Sequence, residues 1–236
     1  ALCIALDKSL TKRLVSSYKI RTPKCTLLSS KAPASAGSLH YPVIIKPNAE
    51  GSSKGISDVS IVKNKNELCE LVKRNFNLYK QDMLAEEYID GREFTVGILG
   101  NGNEAKVFPP MEIIYKKETQ EQYHVYSYNV KQNYKEYIDY KCPADITEEQ
   151  QIEMMKISGK IFNILGCLDF ARVDFRMSRE GRVYFIEINP LPGLAPGYSD
   201  YPMLAEFCGM SYGKLILSIL NSALKIRLPD FPWAAA

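Results

Sequence analysis

The chain interleaves stretches of helical hydrophobic spacing with short runs that have the character of β-strands. Helical spacing predicts helices over residues 6–14, 66–79, 147–165 and 211–225. Short apolar runs bounded by turn-forming residues predict strands at 41–47, 59–62, 83–89, 94–99 and 107–109. This order predicts an α+β protein, in which residues 1–89 form a first, small α+β unit.

Two stretches near the C-terminal end, residues 170–176 and 182–189, alternate between polar and apolar side chains. We expect them to form a β-hairpin with Glu180-Gly181 as a two-residue loop. That register pairs Asp174 with Glu187 and Arg172 with Asn189, and it places all four side chains on one face. The opposite face is apolar and is expected to be buried; it carries Val173, Phe175, Ile186 and Ile188.

The facing carboxylates of this hairpin are a candidate metal site. Asp174 and Glu187 should repel each other across the strands, and a divalent cation between them removes the conflict. Oxygen ligands without His or Cys favour Mg²⁺, or Mn²⁺, shared with phosphate oxygens. The alternative is a solvated polar face on which Arg172 and Arg176 neutralise the acids.

The composition narrows the function classes. Among 236 residues, 30 Lys and Arg stand against 27 Asp and Glu, and a formal net charge of +3 is too small to indicate a nucleic-acid-binding or membrane-binding surface. The apolar runs are far shorter than the roughly 20 residues that cross a bilayer. The six cysteines lack the spacing of a zinc site and favour reduced thiols in a cytoplasmic protein. We therefore expect neither a nucleic acid nor a membrane as a partner.

A glycine- and serine-rich segment, residues 50–55, follows the strand that ends near Lys46. Glycines let backbone N–H groups approach a phosphate, and Ser52 and Ser53 add hydroxyl donors. A lysine at the end of a buried strand also needs an anionic partner. A plain flexible turn explains the segment equally well. Residues 86–89 with Glu93 could hold a base and a ribose, but alone they fit an ordinary acidic strand edge better.

Residues 114–142 have no clean periodicity and are rich in tyrosine and other polar residues. They lie between the predicted strands and the capping box that begins at Thr147. A long polar stretch inside a compact domain predicts a lid or a binding loop.

Together and in this order, these segments resemble the ATP-grasp superfamily and, within it, D-alanine–D-alanine ligases. The resemblance rests on residues 6–12, 42–55, 86–96, 131, 142–144, 171–175 and 187–193. It implies an ATP-grasp fold with a small subdomain (1–89, phosphate loop) and a large one (90–236, lid, metal site and second-substrate loop) that clasp ATP. It also implies an N-terminal preATP-grasp domain, which we expect to be absent from this sequence.

The activity implied by the resemblance is ATP-dependent ligation of a carboxylate to an amine. The product is D-alanyl-D-alanine or a close analogue, made through an acyl phosphate with release of ADP and phosphate. Implied with it are ATP, two Mg²⁺ or Mn²⁺ ions, amino acid substrates, a homodimer and a cytoplasmic role in cell-wall synthesis. The implied residues are catalytic Arg172, Lys131 and Ser52; ATP-binding Lys8, Lys46, Ser52, Ser53, Glu86, Glu87, Ile89 and Glu93; metal-binding Asp174, Glu187 and Asn189; and substrate-binding Gly193 and Ser199.

Two departures from the family pattern fall in the substrate region. Lys131 is followed by Gln132, where the family ordinarily has a tyrosine. The loop at 190–199 replaces a threonine-containing loop and is one residue longer. Neither departure changes an ATP residue. A ligase that joins other amino acids in specialised metabolism therefore stays open, as does a nucleotide-binding module without catalysis.

Overall fold

The structure is a computed structural model that describes residues 1–29, 39–49, 60–116 and 133–227. Near the N-terminal end of the chain, four strands form an antiparallel sheet in the order β1-β4-β2-β3. These strands are β1 (Cys25–Leu28), β2 (Val43–Pro47), β3 (Ile61–Val62) and β4 (Met83–Glu87). Every residue of β2 is buried, as the apolar run predicts.

Helix α3 (Lys65–Tyr79) covers this small sheet, which confirms the helix predicted at 66–79. Asn64 caps it, because its side chain accepts hydrogen bonds from the backbone of Asn66 and Glu67. The buried side of α3 supplies Leu68, Leu71 and Val72 to a core shared with β2 and β4. The small sheet is thus held by one amphipathic helix.

The remaining strands form an antiparallel sheet in the order β10-β9-β5-β7-β8, with β6 paired to β5. They are β5 (Gly91–Leu99), β6 (Lys106–Val107), β7 (Met111–Tyr115), β8 (Ile138–Lys141), β9 (Phe170–Ser178) and β10 (Val183–Asn189). A short helix α4 (Tyr134–Tyr137) leads into β8. Strand β8 lies inside the stretch without periodicity, so the sequence pattern did not predict it.

Helices cover both faces of this large sheet. α5 (Glu148–Ile164) begins at the predicted capping box of Thr147 and Gln150 and packs on one face. On the other face lie α6 (Asp200–Phe207), which we did not predict, and α7 (Tyr212–Arg227). No single helix in the described ranges is long and apolar enough to cross a membrane. α6 and α7 reach that length and composition only as a pair bent by 108°.

The N-terminal leucines do not form the buried face that their spacing suggests. The chain forms two helices, α1 (Leu2–Leu6) and α2 (Lys8–Ser17), broken at Asp7, whose side chain caps α2. Leu6 and Leu10 are 44% and 37% exposed. The buried positions of α2 are instead Lys8, Thr11, Lys12 and Val15.

These two helices pack into the core beneath the large sheet, where Ala5 and Val15 join its apolar cluster. Their packing departs from the predicted unit over 1–89, which assigns them to the small subdomain. The reason is that Ala5 and Val15 complement the apolar face of the large sheet. The chain passes from the small sheet to the large sheet between Glu87, the last residue of β4, and Gly91, the first residue of β5. A domain boundary near residue 90 stays a prediction.

The β9–β10 hairpin has the predicted register at the end that carries the polar pairs, but its turn differs from the predicted one. Asp174 pairs with Glu187 and Arg172 with Asn189, but Phe175 pairs with Phe185. A bulge at Ile186 accounts for the difference. The turn holds three residues, 179–181, closed by a hydrogen bond between Ser178 N and Arg182 O (2.9 Å). Glu180-Gly181 is therefore not a two-residue loop, and the bulge restores the predicted pairing.

The bulge also changes which side chains are buried. Phe185, and not Ile186, joins Val173, Phe175 and Ile188 in the core. Ile186 is the extra residue, and its side chain is only partly buried.

Candidate functional site

Lys8 and Lys12 lie one helical turn apart on the buried side of α2 and face the hairpin. Lys8 Nζ lies 3.8 Å from Glu187 Oε2. The start of α2 is fixed by Asn48, which follows β2: Lys8 N donates to its carbonyl (3.1 Å) and its side-chain amide donates to Asp7 (2.9 Å). These bonds hold the first turn of α2 beside the end of the strand that carries Lys46.

Glu86 lies between two lysines in the interior. Lys12 Nζ is 2.7 Å from Glu86 Oε2, and Lys46 Nζ is 3.1 Å from Glu86 Oε1. All three side chains are at most 4% exposed. Burial alone would raise the pKa of Glu86, but the charges of Lys12 and Lys46 lower it below its ordinary value. Burial lowers the pKa of Lys12, and Glu86 partly opposes that shift.

Lys12 was not among the predicted site residues. Its ammonium also donates to Thr22 Oγ1 (3.1 Å) and to the carbonyl oxygen of Ile186 (2.9 Å), which the bulge presents. It therefore connects α2, Glu86 and β10. The available signal was its position one turn after Lys8 within the stretch 6–12.

Asp174 and Glu187 face each other across the hairpin, as predicted. Asp174 accepts two hydrogen bonds from Arg172 (3.0 and 2.9 Å) and one from Thr95 Oγ1 (2.7 Å). Burial raises the pKa of Asp174, with Arg172 opposing the shift. Burial also acts to raise the pKa of Glu187, but Lys8 and other nearby cations lower it overall. The two opposite directions are those expected of neighbouring like charges.

The donor set of this hairpin fits a hard divalent cation. Asp174 and Glu187 supply carboxylate oxygens, and Asn189 supplies an amide oxygen that also accepts from Leu191 N (3.1 Å). In the part of the chain that the structure describes, no cluster of three or more His, Cys, Asp or Glu side chains could hold a metal. A cation here would therefore need the amide and phosphate oxygens in addition to the two acids.

Glu93 is held by its own protein partners. Its carboxylate accepts hydrogen bonds from Tyr115 OH (2.8 Å) and from Arg176 Nη1 (3.3 Å), and Arg176 Nη2 donates to Tyr88 OH (3.2 Å). Burial raises the pKa of Glu93, while Arg176 opposes the shift. The charges of Asp174 and Glu187 raise it further. Glu93 lies on β5 two residues before Thr95, whose hydroxyl donates to Asp174.

Two other residues predicted to bind ATP lie at the junction of the sheets. Glu87 ends β4, and its carboxylate accepts a hydrogen bond from the backbone N–H of His40 (2.9 Å). Ile89 lies between β4 and β5 and is partly buried. Neither makes a contact with the acid pair that the structure describes.

The two predicted substrate-binding residues lie together. A Cβ atom at Gly193 would lie 2.6 Å from Ser199 Oγ, so only glycine fits there without a shift. Ser199 Oγ also accepts a hydrogen bond from Ala195 N (3.2 Å). Three predicted residues lie outside the described ranges: Ser52, Ser53 and Lys131.

A family model described as the D-Ala–D-Ala ligase C-terminus matches residues 17–221. The chain belongs to the D-alanine–D-alanine ligase family. It is 33% identical over 229 residues to a D-alanine–D-alanine ligase of Bordetella pertussis, covering 96% of this chain and 69% of the relative. A ligase of the same name from Aquifex aeolicus is 35% identical over 223 residues, with 94% and 70% covered.

The fold resembles solved ligases of the same family. The VanG D-Ala:D-Ser ligase of Enterococcus faecalis superimposes with a TM-score of 0.74 at 27% identity, over 92% of this chain and 61% of that one. About two fifths of that structure therefore has no counterpart in this sequence. The predicted ATP-grasp fold and the assignment to the ATP-dependent ligases are confirmed. Members of this family use ATP and a divalent metal and act on small amino acids in peptidoglycan synthesis.

Proposed function

We propose that the protein joins two amino acids, D-alanine or close analogues, and uses ATP to activate the first carboxylate as an acyl phosphate. The supporting observation is the approach of Lys8 Nζ to Glu187 Oε2 (3.8 Å). It brings the cations of α2 and β2 against the acid pair of the hairpin. The cations can neutralise a polyphosphate, and the acid pair can hold the metal ions that accompany it.

The chain's own cations would bind the triphosphate. Lys8 and Lys46 come from α2 and β2 and face the hairpin, and their ammonium groups can neutralise phosphate oxygens. Ser52 and Ser53 would cover the phosphates, and Ser52 and Lys131 would take part in catalysis. Glu86, Glu87 and Ile89 would hold the adenine, and Glu93 the ribose.

Asp174, Glu187 and Asn189 would hold two Mg²⁺ ions, since their oxygens suit hard cations. When bound, Mg²⁺ neutralises the charge of the phosphates during transfer. The amine of the second amino acid would then attack the carbonyl carbon of the acyl phosphate, and the amide would form as the C–O bond to phosphate breaks and inorganic phosphate and a proton leave. Arg172 would stabilise the negative charge that develops on the carbonyl oxygen. Gly193 and Ser199 would form the wall that receives the second amino acid.

Phosphate release from ATP tests this assignment. We expect the full-length protein with Mg²⁺ to release phosphate in a D-alanine-dependent manner and to form the dipeptide, detected by mass spectrometry. Asp174→Ala should lower the rate by at least 100-fold. The matched control Asp139→Ala removes an exposed acid on β8 and should retain the wild-type rate. ATP binding without release of phosphate with any amino acid would refute ligase activity and leave a nucleotide-binding module.

A second amino acid other than D-alanine is the alternative substrate choice. The longer loop at 190–199 favours it, because this loop carries Gly193 and Ser199 and ends beside Asp200, whose carboxylate binds Arg172 (2.8 Å). D-serine belongs in the substrate panel, since one structural relative is named for it. Turnover with D-serine or another amino acid, but not with D-alanine, would select this alternative.

We further propose that the protein is a cytoplasmic homodimer. All six cysteines are free thiols, as is usual in a reducing compartment. The dimer follows from the family resemblance, and light scattering of the purified protein tests it: a mass of one chain would refute it.

A further inference from the structure

A buried carboxylate beside the proposed site has no role in the function given above. Asp200 is the first residue of α6 and directly follows Ser199. Its side chain is 1% exposed. Arg172 Nη1 donates to its Oδ2 (2.8 Å), and Tyr140 OH donates to its Oδ1 (3.0 Å). Three elements, β9, α6 and β8, therefore meet at this carboxylate.

The guanidinium of Arg172 is held on two edges. Its Nε and Nη2 donate to the two oxygens of Asp174, and its Nη1 donates to Asp200. In a planar guanidinium anchored to two carboxylates from different elements, rotation about the terminal Cζ–Nη bonds is hindered. Three of its five N–H bonds are used in this way. Within the described ranges no partner is seen for the second N–H of Nη1 or of Nη2, and either could donate to a substrate oxygen.

Asp174 alone would be a poor anchor for this arginine. It accepts a further hydrogen bond from Thr95 and is proposed to bind a metal, which withdraws charge from its oxygens. Asp200 has no such second task in the proposed reaction. It also forms part of the loop-to-helix segment that carries Ser199, so it links the orientation of Arg172 to the wall of the second-substrate site.

We infer that Asp200 is a positioning residue that, together with Tyr140, fixes the guanidinium of Arg172 toward the second-substrate site. The catalytic consequence rests on the proposed ligase function. Donors that stabilise a developing charge are effective when they are oriented before the reaction. Loss of the hydrogen bond from Nη1 should therefore slow the attack of the amine on the acyl phosphate, and ATP binding itself should change little.

Three variants of the full-length protein test this inference. Asp200→Asn keeps the size of the side chain and removes its charge, and Tyr140→Phe removes one hydrogen bond to it. Asp139→Asn, the neighbouring exposed acid on β8, is the matched control. We expect kcat to fall about 10- to 100-fold in Asp200→Asn and about 2- to 10-fold in Tyr140→Phe. The KM for ATP should stay within about twofold in both, and the control should match the wild type.

A measurement that needs no turnover separates this inference from the proposed function. NMR of arginine side chains labelled with ¹⁵N reports rotation about the Cζ–Nη bonds, and Arg172→Lys assigns the signal. We expect hindered rotation of Arg172 in the wild type and faster rotation in Asp200→Asn and Tyr140→Phe.

Unchanged rotation together with a wild-type kcat in Asp200→Asn would overturn the inference. If Asp200→Asn does not fold, the same comparison in Tyr140→Phe decides it. If the wild type shows no amine-dependent turnover, the proposed function fails, and the rotation data alone decide whether Asp200 positions Arg172.

Discussion

Breaking the buried ion pair of Lys12 and Glu86 should strongly lower the free energy of unfolding. Lys12→Met keeps the length of the side chain but removes its charge. It also removes three polar interactions that the described residues show: with Glu86 at 2.7 Å, the Ile186 carbonyl at 2.9 Å and Thr22 at 3.1 Å. Removing one member of a buried ion pair costs about 3–5 kcal/mol, because the other charge stays in the interior without its counterion. Glu86 would keep Lys46 as a counterion. We therefore expect the free energy of unfolding to fall by about 3 kcal/mol, the lower end of that range.

Urea unfolding followed by far-ultraviolet circular dichroism measures this loss as a lower midpoint at an unchanged slope. Lys73→Met, at an exposed position of α3, makes the same chemical change and should cost less than about 0.5 kcal/mol. The double variant Lys12→Met/Glu86→Gln should lose less stability than the sum of the two single variants, since each single change already breaks the same ion pair. We expect a coupling free energy of about 1–3 kcal/mol in this cycle.

Two results would refute this reasoning. A loss below about 1 kcal/mol in Lys12→Met would mean that Glu86 is not held by Lys12. Strict additivity in the cycle would mean that the two side chains do not interact.

Three further predictions concern packing, thiol chemistry and pH. Gly97→Ala should lower the free energy of unfolding by about 1–3 kcal/mol in urea titrations, because its Cβ would lie 2.9 Å from Leu204 Cδ2. Burial raises the pKa of Cys142 to about 12, so roughly 10⁻⁴ of this thiol is ionised at pH 8, and Ellman's reagent should modify exposed Cys3 at least tenfold faster. Because the pKa of Glu86 is lowered in the folded state, its contribution to stability is present above about pH 4.5 and is lost as the pH falls through its folded pKa. The stability difference between wild type and Glu86→Gln should therefore shrink in urea titrations between pH 6 and pH 3, and a constant difference would contradict this.

The sequence predicted the elements with strong local signals. The capping box of α5, the buried run of β2 and the amphipathic α3 depend on contacts within one segment, and all three are found. Strand β8 could not be predicted in this way. Its four residues alternate with no apolar run, and it is stabilised by pairing with β7, which is distant in sequence.

The buried face of α2 shows why the site was harder to predict than the fold. Hydrophobic spacing favours burial of Leu6 and Leu10, yet the chain buries Lys8 and Lys12. Burial of a lysine is favourable only when a carboxylate from another part of the chain is in place. For Lys12 that carboxylate is Glu86, 74 positions later, so no local pattern contains the information.

The predicted pairing of Asp174 with Glu187 is correct because two deviations from the predicted hairpin cancel each other. The three-residue turn shifts the register by one position, and the bulge at Ile186 shifts it back before Glu187. Alternation predicts the two strands, but it does not distinguish a two-residue loop from a longer loop followed by a bulge. The bulge is also what directs the Ile186 carbonyl to Lys12, so the feature that the pattern missed belongs to the site.

The distribution of charge explains why this site should bind a nucleotide together with metal ions. On one side, Lys8, Lys12 and Lys46 stand against Glu86 and leave a formal charge of +2. On the other, Arg172 stands against three acids, Asp174, Glu187 and Asp200, and leaves −2. A triphosphate is attracted to the first group and repelled by the second, and no arrangement of these side chains alone removes both effects. Divalent cations held by the acids would do so, because they would supply the positive charge that the phosphates need on that side. Asp200 adds to that requirement, since without it Arg172 would neutralise a larger share of the acid pair and the site would need less metal charge.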